Sequence, residues 1–305
     1  MFRSRLFLLV LGALLLFAAV FFGFKKVALS WPRPARFTTK LRTTRASASD
    51  LELAGELAGL PAGTTRYLTR EDLSVLPQVT YTVADDANFK EPAKITGVEL
   101  RELVQRLAQA PAEAMVTAVC DDLYKAHYPR MYLASHHPLL VLQVNGQPPA
   151  AWPKSSDRSG SAMGPYLISH PKFVPDPQVP ASADEPQIPW GVVLLEFRNE
   201  KTVLDAIAPR GRYAAASTVQ AGYRIARQNC FRCHDTGDKT AMKSGRPWEV
   251  LSAWASSSPS NFAAYVRNPK SKNPLAQMPG NPDFDDVTIS ALAEYFRGFN
   301  EPGQP

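Results

Sequence analysis

Cysteine is scarce: Cys120, Cys230 and Cys233 are the only three in 305 residues. So few exclude a disulfide-built scaffold, and with Cys230 and Cys233 engaged together Cys120 is left a single thiol. Histidine is nearly as rare, with four residues between 127 and 170 and one at 234. No cysteine or histidine lies beyond 234. A zinc site around Cys230 therefore lacks its two further ligands. His127, His136, His137 and His170 show no metal-ligand spacing and read as surface or hydrogen-bonded residues. A concentrated basic stripe is also missing. The net charge is +6 with Lys and Arg scattered, which argues against nucleic acid and suits docking to an acidic redox partner. Proline, by contrast, is abundant at 27 residues, which implies many loops.

Against this background one stretch stands out, Cys230-Phe231-Arg232-Cys233-His234. Two thiols two residues apart, followed at once by histidine, have the spacing of a c-type haem attachment site. Each thiol adds to one vinyl group, and the adjacent imidazole offers itself as the proximal iron ligand. A thioredoxin-like CxxC would open a helix after a strand, whereas residues 213–229 read as a helix leading into the motif. Met278-Pro279-Gly280 lies 44 residues beyond His234 (278 − 234). Its thioether is a soft, neutral donor that favours Fe(II), and Pro and Gly shape the loop that presents it. Met242 is too close to the motif for that role.

Residues 6–24 form a charge-free apolar run after Arg3 and Arg5. Nineteen residues at ~1.5 Å each approach the ~30 Å hydrocarbon thickness. Lys25-Lys26 comes directly after it without an A-x-A cleavage pattern, so residues 1–26 read as an uncleaved transmembrane anchor, with a cleaved signal as the alternative. Lys25, Lys26, Arg33 and Arg36 would place the following chain in the cytoplasm by charge alone. The haem motif argues for the opposite orientation, with the soluble part in the bacterial periplasm. Residues 27–62 read as a linker, with a short helix over 50–60.

Residues 63–200 have a different texture. Alternation over 78–83 gives a strand, and Val98, Leu100, Leu103, Val104 and Leu107 give an amphipathic helix. Further strands are expected at 114–120, 128–134, 139–144, 166–169 and 190–197, with a turn at Asn145-Gly146. Asp121-Asp122 reads as a solvated turn and Cys120 as a small buried hydrophobe. Six prolines over 171–189 make an extended loop. In the region 211–305, helices are expected over 214–229, 248–256, 261–267 and 287–299, the last capped by Asp285-Asp286.

These residues carry two resemblances. "AGYRIARQNCFRCH", "NPLAQMPGNP" and "ALAEYF" resemble the opening helix, methionine loop and closing helix of class I cytochrome c. That resemblance implies an all-α domain in which Gly222 crosses Tyr295 or Phe296. It also implies covalent haem on Cys230 and Cys233, with His234 and Met278 as axial ligands. Ala226 stands where the family often has an aromatic, a space that Tyr223 is expected to fill. "LTREDLSVLPQVTYTV", "ITGVELRELV", "HHPLLVLQVNGQPP" and "GPYLISHP" resemble the molybdopterin-binding domain of the sulfite oxidase superfamily. That family's metal-ligating cysteine is expected just after the "VTYTV" strand, where this chain has Asp85-Asp86-Ala87-Asn88, so molybdopterin is not expected.

The chain therefore reads as multidomain: an N-terminal transmembrane helix (1–26), a linker (27–62), a strand-rich α+β domain without a cofactor (63–200) and an all-α haem domain (211–305). The expected function is one-electron transfer between a dehydrogenase and a respiratory acceptor, a terminal oxidase or another cytochrome, rather than catalysis. The alternatives are a haem-containing molybdenum oxidoreductase of the sulfite dehydrogenase kind and a haem-based sensor or scaffold.

Overall fold

The computed structural model describes residues 41–156, 160–171, 184–237 and 242–299. The expected anchor over 6–24 and most of the proline-rich loop lie outside the described residues. Among the described residues no helix is long and apolar enough to cross a membrane.

Among the described residues nine strands form one mixed sheet: β1 (Leu51–Gly55), β2 (Arg66–Leu68), β3 (Val79–Val83), β4 (Ala93–Glu99), β5 (Ala114–Cys120), β6 (Lys125–Tyr128), β7 (Leu139–Val144), β8 (Tyr166–Ser169) and β9 (Trp190–Asn199). The order is β2-β1-β9-β8-β7-β4-β3, and β9 also carries the β5–β6 hairpin on its other edge. The sheet is antiparallel except where β1 runs parallel to β9, pairing Leu53 with Leu195. α1 (Arg70–Ser74), α2 (Leu100–Leu107) and α3 (Arg130–His136) accompany it. Leu100, Leu103, Val104 and Leu107, spaced for one helix face, are buried in the same core as Leu51, Leu53, Phe197 and Tyr128.

Two expectations are corrected. Residues 51–55 are a strand instead of part of a helix over 50–60. Leu51 and Leu53 are fully buried and alternate with half-buried Glu52 and Ala54, which is the period of a strand with one covered face. The sheet therefore begins within the stretch read as a linker. Residues 128–134 are not a strand either. β6 ends at Tyr128, and Pro129 precedes α3. Proline has no N–H for a ladder, and its fixed φ suits the entry to a helix. The turn at Asn145-Gly146 holds, with φ of 53° and 73°, the two positive values of a type I′ turn. It closes a single bridge, Val144 to Gln147, and leads into a short 3₁₀ turn, Pro149–Ala151, instead of a second strand.

After β9, α4 (Glu200–Asp205) leads, among the described residues, to five further helices: α5 (Thr218–Asn229), α6 (Trp248–Ser257), α7 (Pro259–Arg267), α8 (Pro269–Lys272) and α9 (Asp286–Phe299). Ser217 caps α5 by accepting from the Gln220 amide, and Asp285 accepts from the Thr288 amide at the start of α9, each satisfying an otherwise orphan donor. α5 and α9 cross at Gly222, where a Cβ would meet Ala291 and Tyr295, in agreement with the resemblance to class I cytochrome c. Both share one core with Trp248, Leu251 and Phe262. The Trp248 indole donates to Tyr295 Oη at 2.9 Å, and Ser252 Oγ donates to the Phe296 carbonyl at 2.6 Å. Tyr223 packs 5.7 Å from the Tyr295 ring, centroid to centroid.

Candidate haem site

The Cys-Phe-Arg-Cys-His segment begins where α5 ends. The Cys230 amide still bonds back to Ala226, and the amides of Cys233 and His234 bond to the Cys230 carbonyl at 3.1 and 2.9 Å. This last helical turn brings both thiols to one cleft. Two hydrogen bonds pin the segment beyond it: Ser244 N to Cys233 O at 3.1 Å and Trp248 N to Asp235 O at 2.9 Å.

Cys230, Cys233, His234 and Met278 all line this cleft, which holds about 210 Å³ of interior space, or about 900 Å³ including its open mouth. Its walls include Leu251, Trp254, Phe262, Val266, Phe284 and Phe296. Burial holds the Cys230 thiol up at about 12 and the Cys233 thiol above its ordinary value, so both are neutral thiols at physiological pH.

His234 is buried, and its tautomer is set by one contact. Nδ1 lies 2.8 Å from the Arg246 carbonyl and 2.9 Å from Ser244 Oγ. A carbonyl only accepts, so Nδ1 carries the proton and Nε2 carries the lone pair. Burial also lowers the His234 pKa, which keeps the ring neutral as a donor. Met278 is presented by a loop tied to the end of α7. Asn281 N donates to the Arg267 carbonyl at 3.0 Å, and Asn281 Nδ2 donates to the Val266 carbonyl at 3.0 Å. Ser244, Arg246 and Asn281 are not legible as site residues in the sequence: Arg246 acts through its carbonyl, and Ser244 and Asn281 through short polar side chains that carry no spacing signature. Two soft or borderline donors, two thiols and an apolar cleft fit haem c.

Residues 217–296 match the family model described as cytochrome c oxidase, cbb3-type, subunit III. This region is a cytochrome c domain. Its role is therefore electron transfer in the general sense. Among solved structures, the sulfane dehydrogenase SoxCD from Paracoccus pantotrophus shows 14% identity over 52% of this chain and 40% of that one, with a TM-score of 0.35. No curated protein matches the chain.

His127, His136 and His170 of the strand-rich domain are held in hydrogen bonds, with His127 and His170 buried rather than at the surface, and the more exposed His137 lies 3.7 Å from Glu99. Tyr132 Oη lies 2.9 Å from His170 Nε2, and His136 Nε2 lies 3.1 Å from Asp184. Cys120 is buried in the sheet core, and burial raises its pKa. Asp86, at the place where the sulfite oxidase family's cysteine is expected, is buried. It accepts from Ser169 Oγ and, at 2.8 Å, from the Asn88 amide. The thiolate a molybdenum centre needs is thus absent from that place, and these residues do not fit the group.

The strand-rich domain meets the cytochrome domain at His127. Its ring stacks on Phe231 at 4.1 Å, Nε2 donates to the Phe231 carbonyl at 3.1 Å, and Nδ1 lies 3.0 Å from Thr117 Oγ1. Burial, with Lys125 and Arg232 adding to it, lowers its pKa to about 4, while the Phe231 carbonyl and Asp235 oppose the shift. A folded value below the ordinary 6.5 means that the unfolded chain binds the extra proton first. Stability is therefore lost as pH falls from about 6.5 to about 4, by up to roughly 3 kcal/mol. His170, also lowered by burial, adds in the same direction. Denaturation at pH 7 and pH 4.5 should show this loss, and His127→Phe should reduce it.

Proposed function

We propose that the protein is a membrane-tethered, periplasmic mono-haem cytochrome that passes single electrons from a dehydrogenase to a respiratory acceptor. The carrying observation is that His234 and Met278 line the same cleft as Cys230 and Cys233. A covalently held haem c supplies a one-electron Fe(II)/Fe(III) couple there. The chain's own residues do the rest. Cys230 and Cys233 provide the thioether anchors. His234 offers Nε2 while the Arg246 carbonyl fixes its ring. Met278 would provide a second donor to the group from the same cleft, which would leave substrate no open position. The apolar walls and the thioether both favour the reduced state. Residues 6–24 supply the anchor, and the basic surface suits an acidic redox partner.

The test is Met278→Ala. Haem attachment and the fold should be retained, while the donor that Met278 would supply is lost. Wild type should be low-spin and indifferent to carbon monoxide, and the variant should bind carbon monoxide when reduced, with a lower midpoint potential. Wild type that already binds carbon monoxide would remove Met278 from the site and favour sensing.

A further inference from the structure

The strand-rich domain does more than lie beside the cytochrome domain. Its β5–β6 hairpin grips the haem-attachment segment at successive residues. His127 stacks on Phe231, and the Lys125 amide donates to the Arg232 carbonyl at 2.8 Å. Phe231 and Arg232 lie between the cysteines. Lys125 Nζ reaches Asp235 at 2.5 Å, with both side chains largely buried. At the hairpin tip Asp122 pairs with Lys243, whose ammonium lies 5.5 Å from the centre of the Tyr124 ring. The turn is closed by Cys120 N to Tyr124 O at 2.9 Å and by Tyr124 N to Asp122 Oδ1 at 2.9 Å. Tyr124 itself lines the cleft with Cys230, Cys233 and His234. A residue from the sheet, over a hundred positions upstream, is thus part of the cleft wall.

We propose that Tyr124 is a positioning residue of the haem site supplied by the strand-rich domain, and that the β5–β6 hairpin is a cover that keeps water from the cleft beside Cys233 and so raises the reduction potential. This rests on reading the cleft as the haem c site. The physics is simple. The oxidised site carries one more positive charge, water stabilises that charge, and excluding water favours the reduced form. The phenol oxygen is not needed for this, whereas the ring is.

The experiment is a redox titration of the full chain and four variants. Tyr124→Ala should lower the midpoint potential, and Tyr124→Phe should leave it at the wild-type value. The double variant Asp122→Asn/Lys243→Gln keeps the net charge and releases only the tip. It should shift the potential in the same direction by less, and it carries the test if Tyr124→Ala does not fold. Val75→Ala, at a residue 74% exposed away from the cleft, is the control. If the Tyr124→Ala and tip variants titrate with the control, the proposal is overturned while the haem reading stands. A wild type without covalent, low-spin haem overturns both, and that is seen before any variant is compared.

Discussion

Replacing both Cys230 and Cys233 by alanine should abolish covalent haem and leave the cytochrome domain close to unfolding. The mass of the denatured polypeptide should equal that of the chain alone, and acid–organic extraction should remove all iron from it. The stability effect comes from the cleft. Trp254, Phe262, Val266, Phe284 and Phe296 line the cleft. Without the group these apolar walls are left facing water, a loss of ~25 cal/mol per Å² of the apolar surface that the group would cover, set against the small net stability of a domain. Protease should then cut the region after residue 205 well before the sheet, whose core closes on its own residues. Equal resistance of both domains in the stripped protein would show that the helices hold without the group.

The second large effect is expected from Gly222→Ala. A Cβ at this position would sit 2.0 Å from the Ala291 carbonyl oxygen and 2.7 Å from Tyr295 Cβ. Ordinary contact needs ~3.5 Å, so α5 and α9 must separate by roughly an ångström or more. That pulls apart Ala291, Leu292, Tyr295 and Phe296, all essentially buried. Alanine gains ~1 kcal/mol in helix propensity over glycine. Overpacking against a backbone costs up to ~3 kcal/mol, so the clash wins. Chemical denaturation should show a net loss of about 2 kcal/mol. Gly237→Ala, whose Cβ would meet only the Asp235 side chain at 3.8 Å, should change little. A stabilised Gly222→Ala would mean that the helices do not cross there.

The helical half was legible because its signals are local. Ser217 and Asp285 cap helices, and the motif follows directly on the last turn of α5. The first strand was hidden because the leucines of Leu-Glu-Leu-Ala-Gly-Glu-Leu suit a helix as well as a strand. Only the pairing of β1 with β9, some 140 residues away, decides for the strand. The strand expected over 128–134 counts apolar residues across Pro129, whose missing donor outranks their β propensity. The four residues of the proposed haem site are named from spacing, and all four line one cleft. Tyr124 and His127 are not, because nothing in the sequence says that a hairpin will fold back onto Phe231 and Arg232. The Lys125–Asp235 pair spans 110 positions (235 − 125).

The most direct test of the central claim is the mass and iron content of the denatured full chain, expressed with haem maturation, read together with its optical spectrum before denaturation. A mass raised by one haem, one iron, no molybdenum and a low-spin spectrum in both oxidation states are expected. A mass equal to the bare polypeptide would contradict the claim, as would an iron that is high-spin in the wild type. Stoichiometric molybdenum would show that the strand-rich domain carries a catalytic centre of its own.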